Sequence, residues 1–270
     1  MNIIQAIVFG AVQGVTEFLP VSSTAHLILL PWFMGWPDPG LSFDVALHLG
    51  TLVALLIYFR KDWIALIASA LELVRGRTSD PNARMALFIV VATIPGALAG
   101  VLFEHAVETA LRAPKLIALT LAGLGLVLVF AEWVGRHKKN LEQISWSDAI
   151  TVGLAQALAL IPGVSRSGST ITAGLFVGMK REAAARFSFY LSAPIIAGAV
   201  AKKMLDILKV GVTIDQMSPF IVGIVTAGIV GYLSIAFLLR YLQTHSTYLF
   251  VYYRIALALT VYLAIWYGFR

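Results

Sequence analysis

The stretch Thr16–His26 reads TEFLPVSSTAH, and the stretch Pro162–Thr170 reads PGVSRSGST. Both are polar, both carry a proline, and each breaks an otherwise apolar region, 2–36 and 147–179 respectively. Proline removes a backbone donor and pushes the residue before it away from helical geometry. Each region therefore reads as two short helices joined by a break. Non-helical backbone at membrane depth is tolerated only where it is buried in protein or lines water. The two regions are thus predicted to be re-entrant hairpins whose polar tips the rest of the chain encloses.

That remainder is apolar enough to do so. The 270-residue chain is 59% hydrophobic and only 13% charged, with a mean hydropathy of +0.86, against about 25% charged residues in soluble domains. Stretches long enough to cross about 30 Å of hydrocarbon fall at 43–59, 85–103, 114–134, 187–204, 218–239 and 249–268. The expected fold class is an all-α integral membrane protein, one domain of six transmembrane helices and two re-entrant hairpins. The opening residues, MNIIQAIVFG, lack the basic start and cleavage site of a signal peptide, so they are expected to belong to the fold. The absence of cysteine excludes disulfides, thiolate metal sites and a Cys nucleophile. The net charge of +6 and pI near 9.6 are assigned to cytoplasmic loops, not to nucleic-acid binding.

The two hairpins resemble each other. Ala6, Ile7, Gly10 and Gln13 match Ala149, Ile150, Gly153 and Gln156 at a constant offset of 143, and Ser22 matches Ser165 at the same offset. Further on, FDVALHLG (43–50) lies over FSFYLSAP (187–194). The chain reads as a duplication, with repeat one at 1–135 and repeat two at 147–270. A hairpin returns to the face it entered, whereas three spans change sides. The second repeat is therefore inverted relative to the first, as in many transporter folds.

Basic residues set the orientation. With 60–84 cytoplasmic, that side carries Arg60, Lys61, Arg75, Arg77, Arg84, Arg136, Lys138, Lys139, Lys180, Arg181, Arg186 and Arg240. The other side carries Arg112, Lys115, Lys202, Lys203, Lys209 and Arg270. Twelve against six favours this arrangement, with Lys202 and Lys203 dissenting. The first hairpin then opens outward, the second inward, and their tips meet near the midplane.

A charged residue at the bilayer centre costs about 2.5–3.5 kcal/mol on insertion scales. Glu17 and Arg166 are thus expected to face an interior cavity and to pair. Serines after each proline are natural caps for the outgoing helix, and two helix N-termini aimed at one cavity make an anion site. Ser22, Thr24, Ser165, Ser167, Gly168 and Thr170 are the expected phosphate-binding residues. His26 stands three residues after Ser23, a spacing that brings a hydroxyl near an imidazole as a nucleophile–base pair. Glu17 is expected to orient His26, to activate water, or to hold a divalent cation with Gln13 one turn earlier.

Plainer readings stand beside these. The serines serve as caps alone, and Glu17 with Arg166 as a structural ion pair. His48 is read as structural or cavity-lining, and His105, His137 and His245 as solvated at span ends. Trp32, Trp36, Trp133, Trp146, Tyr248, Trp266 and Tyr267 read as interfacial anchors. Arg254, inside the last span, is expected to snorkel.

QGVTEFLPVSSTAH and PGVSRSGST together resemble the two signatures of the bacterial undecaprenyl-diphosphatase family, also called the bacitracin-resistance family. The resemblance covers essentially the whole chain. It implies a multi-pass enzyme of the bacterial plasma membrane that hydrolyses C55 polyprenyl diphosphate to the monophosphate carrier and inorganic phosphate, acting from the outer, periplasmic side. It implies dependence on a divalent cation, Mg2+ or Ca2+, and contact with membrane lipids, and it leaves a homodimer open. By position, Glu17, Ser23, Thr24 and His26 fall on the first catalytic motif, and Ser165, Arg166, Ser167 and Thr170 on the second. Gln13 and Ala25 depart from the family's commonest Glu and Gly; Gln13 removes one anionic ligand and moves the metal-binding role onto Glu17 or the substrate itself, whereas Ala25, on a helix, is expected to be a mild change.

The inverted duplication also fits a polyprenyl-phosphate flippase or an anion transporter. Glu17, Ser23 and His26 are what transport would not require. A phosphatidic-acid-phosphatase-type enzyme needs a histidine six residues after the Ser-Arg pair, where this chain has Thr172.

Overall fold

The computed structural model describes residues 1–75, 80–108, 111–210 and 214–269. Arg77 and Arg270, and the side chains of His105 and Lys209, lie outside the described residues. The described residues form no β-strand, and their α-helices are α1 (Ile3–Phe18), α2 (Ser23–Met34), α3 (Leu41–Tyr58), α4 (Arg60–Val74), α5 (Pro81–Glu108), α6 (Pro114–Val134), α7 (Trp146–Leu158), α8 (Arg166–Phe176), α9 (Arg181–Val210), α10 (Ile214–Leu242) and α11 (Tyr248–Trp266). Both expected hairpins form, α1–α2 and α7–α8, each broken at its proline.

Among the described residues five helices are long and apolar enough to cross a membrane, and a sixth span arises if the bent pair α3–α4 counts as one. The bend is 79°. The expected span 43–59 is therefore α3, and the segment read as the start of a loop is a further helix, α4. Its apolar spacing was masked in the sequence by Arg60, Lys61 and Asp62 at its start. Val90, Leu102, Trp133, Leu233, Tyr252 and Trp266 are more than half exposed. So broad an apolar surface is what a lipid-facing perimeter presents, because lipid takes the place of protein packing there.

The hairpins are held crosswise. α1 packs mainly on α10 of the other repeat, and α7 packs on α5 of the first. α3 meets α9, and α6 meets α11. This exchange is consistent with an inverted repeat. The matched glycines explain how the hairpins get so close. A Cβ on Gly10 would lie 2.5 Å from the Gly223 carbonyl oxygen, and one on Gly153 would lie 2.6 Å from that of Ala92. Small residues let helix backbones approach in a membrane, where the hydrophobic effect gives little drive between helices.

Polar ties fix the spans' ends. Glu132 on α6 is buried, pairs with Arg181 at the start of α9, and accepts from the Thr247 hydroxyl at 2.8 Å ahead of α11. Lys139 donates to both oxygens of Asp148, which caps α7 in a reciprocal box with Ser145.

Candidate active site at the paired elbows

The elbows between α1 and α2 and between α7 and α8 share one backbone geometry. Ser22 and Ser165, the matched serines, both have φ of 75°. Residues with Cβ atoms rarely adopt this region, and they persist there only when their surroundings over-determine them. Each serine is the N-cap of the outgoing helix. Ser22 Oγ accepts from the Ala25 amide at 3.3 Å, and Ser165 Oγ from the Gly168 amide at 3.0 Å. The cap takes the third amide of each helix and leaves the first two, of Ser23 and Thr24 and of Arg166 and Ser167, without intrahelical acceptors.

The elbows meet through charge. Arg166 Nη2 donates to Glu17 Oε1 at 2.7 Å, and both side chains are largely buried. Glu17 Oε2 accepts from Ser23 Oγ at 2.7 Å and from Gln13 Nε2 at 3.0 Å, and lies 3.4 Å from His48 Nε2. The second elbow is sewn to the first by Ser167 Oγ, which donates to the Leu19 carbonyl at 2.9 Å. Thr170 Oγ1 donates to the Arg166 carbonyl at 2.7 Å and lies 2.7 Å from Ser188 Oγ on α9.

The expected pairing of Ser23 with His26 is not formed. Ser23 is the first residue of α2, and its hydroxyl turns back to α1, where Glu17 waits. The imidazole of His26 instead spans Ser22 and α11: Nδ1 lies 2.7 Å from the Ser22 carbonyl and Nε2 lies 2.7 Å from Tyr253 Oη, with the rings stacked at 10°. A carbonyl only accepts, so Nδ1 carries the proton and the Nε2 lone pair takes the Tyr253 hydroxyl. Glu17 does not orient His26; its imidazole neighbour is His48, whose Nδ1 is fixed 2.7 Å from the Asp44 carbonyl.

Of the phosphate-binding candidates, Ser22, Ser165, Ser167, Gly168 and Thr170 are buried and form the elbows' internal bonding, while Thr24 is exposed. The sequence missed Ser188 and Tyr253, and it singled out His48 without giving it Glu17 as a partner. No local pattern supplies these pairings, since each arises only through tertiary packing. Arg254 does not snorkel. It is 0% exposed and donates to backbone carbonyls of both elbows and α6. Its signal was present in the sequence: a guanidinium deep in a span with no acidic residue nearby in the chain.

The donor set bears on a metal. Among the described residues no group of three or more His, Asp or Glu converges. Glu17 is one carboxylate, and the buried amide oxygen of Gln13 has no hydrogen-bond partner. One carboxylate and one neutral oxygen fit a cation that takes most of its ligands from substrate phosphates and water.

The chain matches the family model described as Bacitracin resistance protein BacA over residues 6–260. It is 53% identical to an undecaprenyl-diphosphatase of Moorella thermoacetica, over 98% of this chain and 99% of that protein. It is 50% identical to an undecaprenyl-diphosphatase of Pelobacter propionicus, over 94% of each chain. A third, of Geobacter metallireducens, is 48% identical over 94% of this chain and 95% of that protein. With the paired elbows in place and the match running nearly end to end, the chain belongs to the bacitracin resistance protein BacA family.

Proposed function

We propose that this chain is an undecaprenyl-diphosphate phosphatase: it converts the C55 polyprenyl diphosphate to undecaprenyl phosphate and inorganic phosphate, returning the lipid carrier to cell-wall synthesis and conferring bacitracin resistance. The observation that carries the reading is the Glu17 carboxylate, which holds the Ser23 hydroxyl on one oxygen and the Arg166 guanidinium on the other. The curated relatives' shared name supplies the substrate.

The diphosphate head sits at the N-termini of α2 and α8, where the amides of Ser23, Thr24, Arg166 and Ser167 and the Arg166 fork meet its oxygens. Ser23 Oγ attacks the terminal phosphorus and passes its proton to Glu17. The bond from that phosphorus to the bridging oxygen breaks, and undecaprenyl phosphate leaves. Water then attacks the phosphoserine, releasing inorganic phosphate and restoring Ser23. His26 presents Nε2 as the second acid–base atom, with the Tyr253 hydroxyl as its resting partner. Arg166 and the helix amides meet the negative charge on the transferring group, which is the main demand of phosphoryl transfer.

A divalent cation, Mg2+ or Ca2+, would be held by Glu17 and the Gln13 amide oxygen together with substrate phosphates, and would supply neutralisation of charge on the phosphoryl group. The enzyme lies in the bacterial plasma membrane with its site open to the periplasmic side, as the family resemblance implies; the twelve-to-six distribution of basic residues supports the orientation in which the first hairpin, carrying Glu17 and Ser23, opens outward. A site between elbows suits a substrate whose tail stays in lipid while its head reaches water.

The test is phosphate release from a detergent-solubilised C55 or C15 prenyl diphosphate by wild type, Glu17→Gln and Arg166→Ala. Cation-dependent release lost in both variants, with folding intact, is the expected result. A wild-type protein that binds the lipid and releases nothing overturns the reading.

A further inference from the structure

Arg254 is the largest fully buried side chain among the described residues, at 0% exposure. No carboxylate lies within ion-pair distance of it among the described residues, and all its acceptors are backbone carbonyls. Nε donates to Leu121 at 3.0 Å, Nη1 to Pro20 at 3.1 Å, and Nη2 to Gly163 at 2.8 Å and Thr120 at 3.3 Å. Both terminal nitrogens also reach the Val164 carbonyl at 3.4 Å.

These acceptors are not scattered. Pro20 lies two residues before Ser22, and Val164 directly precedes Ser165, so one guanidinium holds the carbonyls leading into both left-handed serines. Thr120 and Leu121 belong to α6, which supplies a second tie: Thr120 Oγ1 donates to the Pro162 carbonyl at 2.6 Å. A buried cation without a counter-ion is costly, and the carbonyls of Pro20, Gly163 and Val164, which lie in the breaks between helices, need donors when buried. A planar fork of five N–H groups meets several of them at once. An ammonium, with three donors on one atom, does not span the same set.

We propose that Arg254 is a positioning residue for the reaction: it clamps the two elbows to each other and to α6, and so sets the separation across which Glu17 and Ser23 face Arg166. It makes no hydrogen bond or ion pair to those side chains and acts through the backbone that carries them. The proposal rests on the phosphatase reading for its kinetic readout and on the fold alone for its structural one.

The experiment compares wild type with Arg254→Lys and Arg254→Met in detergent micelles. It measures kcat and KM on a prenyl diphosphate per mole of folded protein, and amide hydrogen exchange by segment. A displacement of about 1 Å in a reacting group costs on the order of 100-fold in rate. The expected result is a kcat lowered by about that factor with KM nearly unchanged. Exchange should be faster in both 19–24 and 162–168 but unchanged in α5 and α10, and Lys should give no rescue. Thr120→Val, which removes a tie at the second elbow only, should speed exchange at 162–168 and spare 19–24; this arm stands if both Arg254 variants fail to fold, and uniform exchange in it overturns the clamp. A raised KM at constant kcat would make Arg254 a substrate ligand and overturn the proposal. So would full activity in Arg254→Lys. Elbows that loosen in a protein whose wild type releases no phosphate would leave the clamp in place and remove the phosphatase reading instead.

Discussion

The Arg166 guanidinium and the Glu17 carboxylate, 149 positions apart, meet at 2.7 Å where two broken hairpins from opposite halves of the chain converge. Arg166 stands in repeat two at the offset of 143 where repeat one has Ser23. Equivalent positions of the two matched segments thus bring a hydroxyl and a guanidinium to a single carboxylate. The pairing makes sense of two charges that would otherwise face the bilayer interior unpartnered.

Removing one member of that pair is predicted to be worse for stability than removing both. Arg166→Gln leaves Glu17 buried beside a neutral partner and should cost about 3–5 kcal/mol. The double variant Arg166→Gln, Glu17→Gln should recover part of that loss. Denaturation midpoints in a fixed detergent measure it; a double variant weaker than Arg166→Gln alone would argue against a coupled pair.

Ser23→Ala and Glu17→Gln should each lower kcat by about 10²–10⁴-fold, the range for loss of a positioned nucleophile or base. Because the two share one proton path, the double variant should lose little more than either single one. Additive losses would place the groups in separate steps.

At the elbow itself, Ser22→Gly and Ser22→Ala separate strain from capping. Both lose the hydroxyl that accepts from Ala25. Glycine adopts φ of 75° freely whereas alanine does not, so the Gly variant should be the more stable and active. The cap alone is worth about 0.5–2 kcal/mol. Thermal midpoints of the two variants, read beside wild type, decide the order.

Tyr253→Phe keeps the ring stacked on His26 and removes its hydrogen bond. A net loss of about 0.5–1.5 kcal/mol should appear as a kcat lowered between two- and roughly twelvefold. An unchanged rate would mean that the Tyr253 hydroxyl has no part in placing His26 Nε2.

Gln13→Glu would give the site a second carboxylate beside Glu17. The expected effect is a lower half-saturating concentration of Mg2+ for phosphate release, with chelation abolishing activity in both proteins. A half-saturating concentration that does not move would place the cation away from α1.

Much of this was legible in the chain. Prolines at 20 and 162 inside apolar stretches, and the match at a fixed offset, marked both hairpins and the two polar tips, while the long apolar stretches marked the five spans and the bent sixth. These are local signals, since apolar length and a missing donor act on the backbone wherever the chain is placed. The bend into α4 was not legible, because Arg60, Lys61 and Asp62 looked like a loop. Spacing along α2 also suggested a Ser23–His26 contact that the side-chain directions do not make.

By itself, then, the sequence determined that the protein is a membrane-embedded helical chain with two matched serine-rich tips, and that Glu17, Ser23, His26 and Arg166 belong to them. Tertiary structure alone decided the partners: Glu17 with Ser23, Arg166 and His48, His26 with Tyr253, and Arg254 with the carbonyls of both elbows. The physical reason is that helix and break formation depend on neighbours a few residues away. Hydrogen-bond choice at a buried site depends instead on which donors and acceptors the packing of distant helices leaves facing each other.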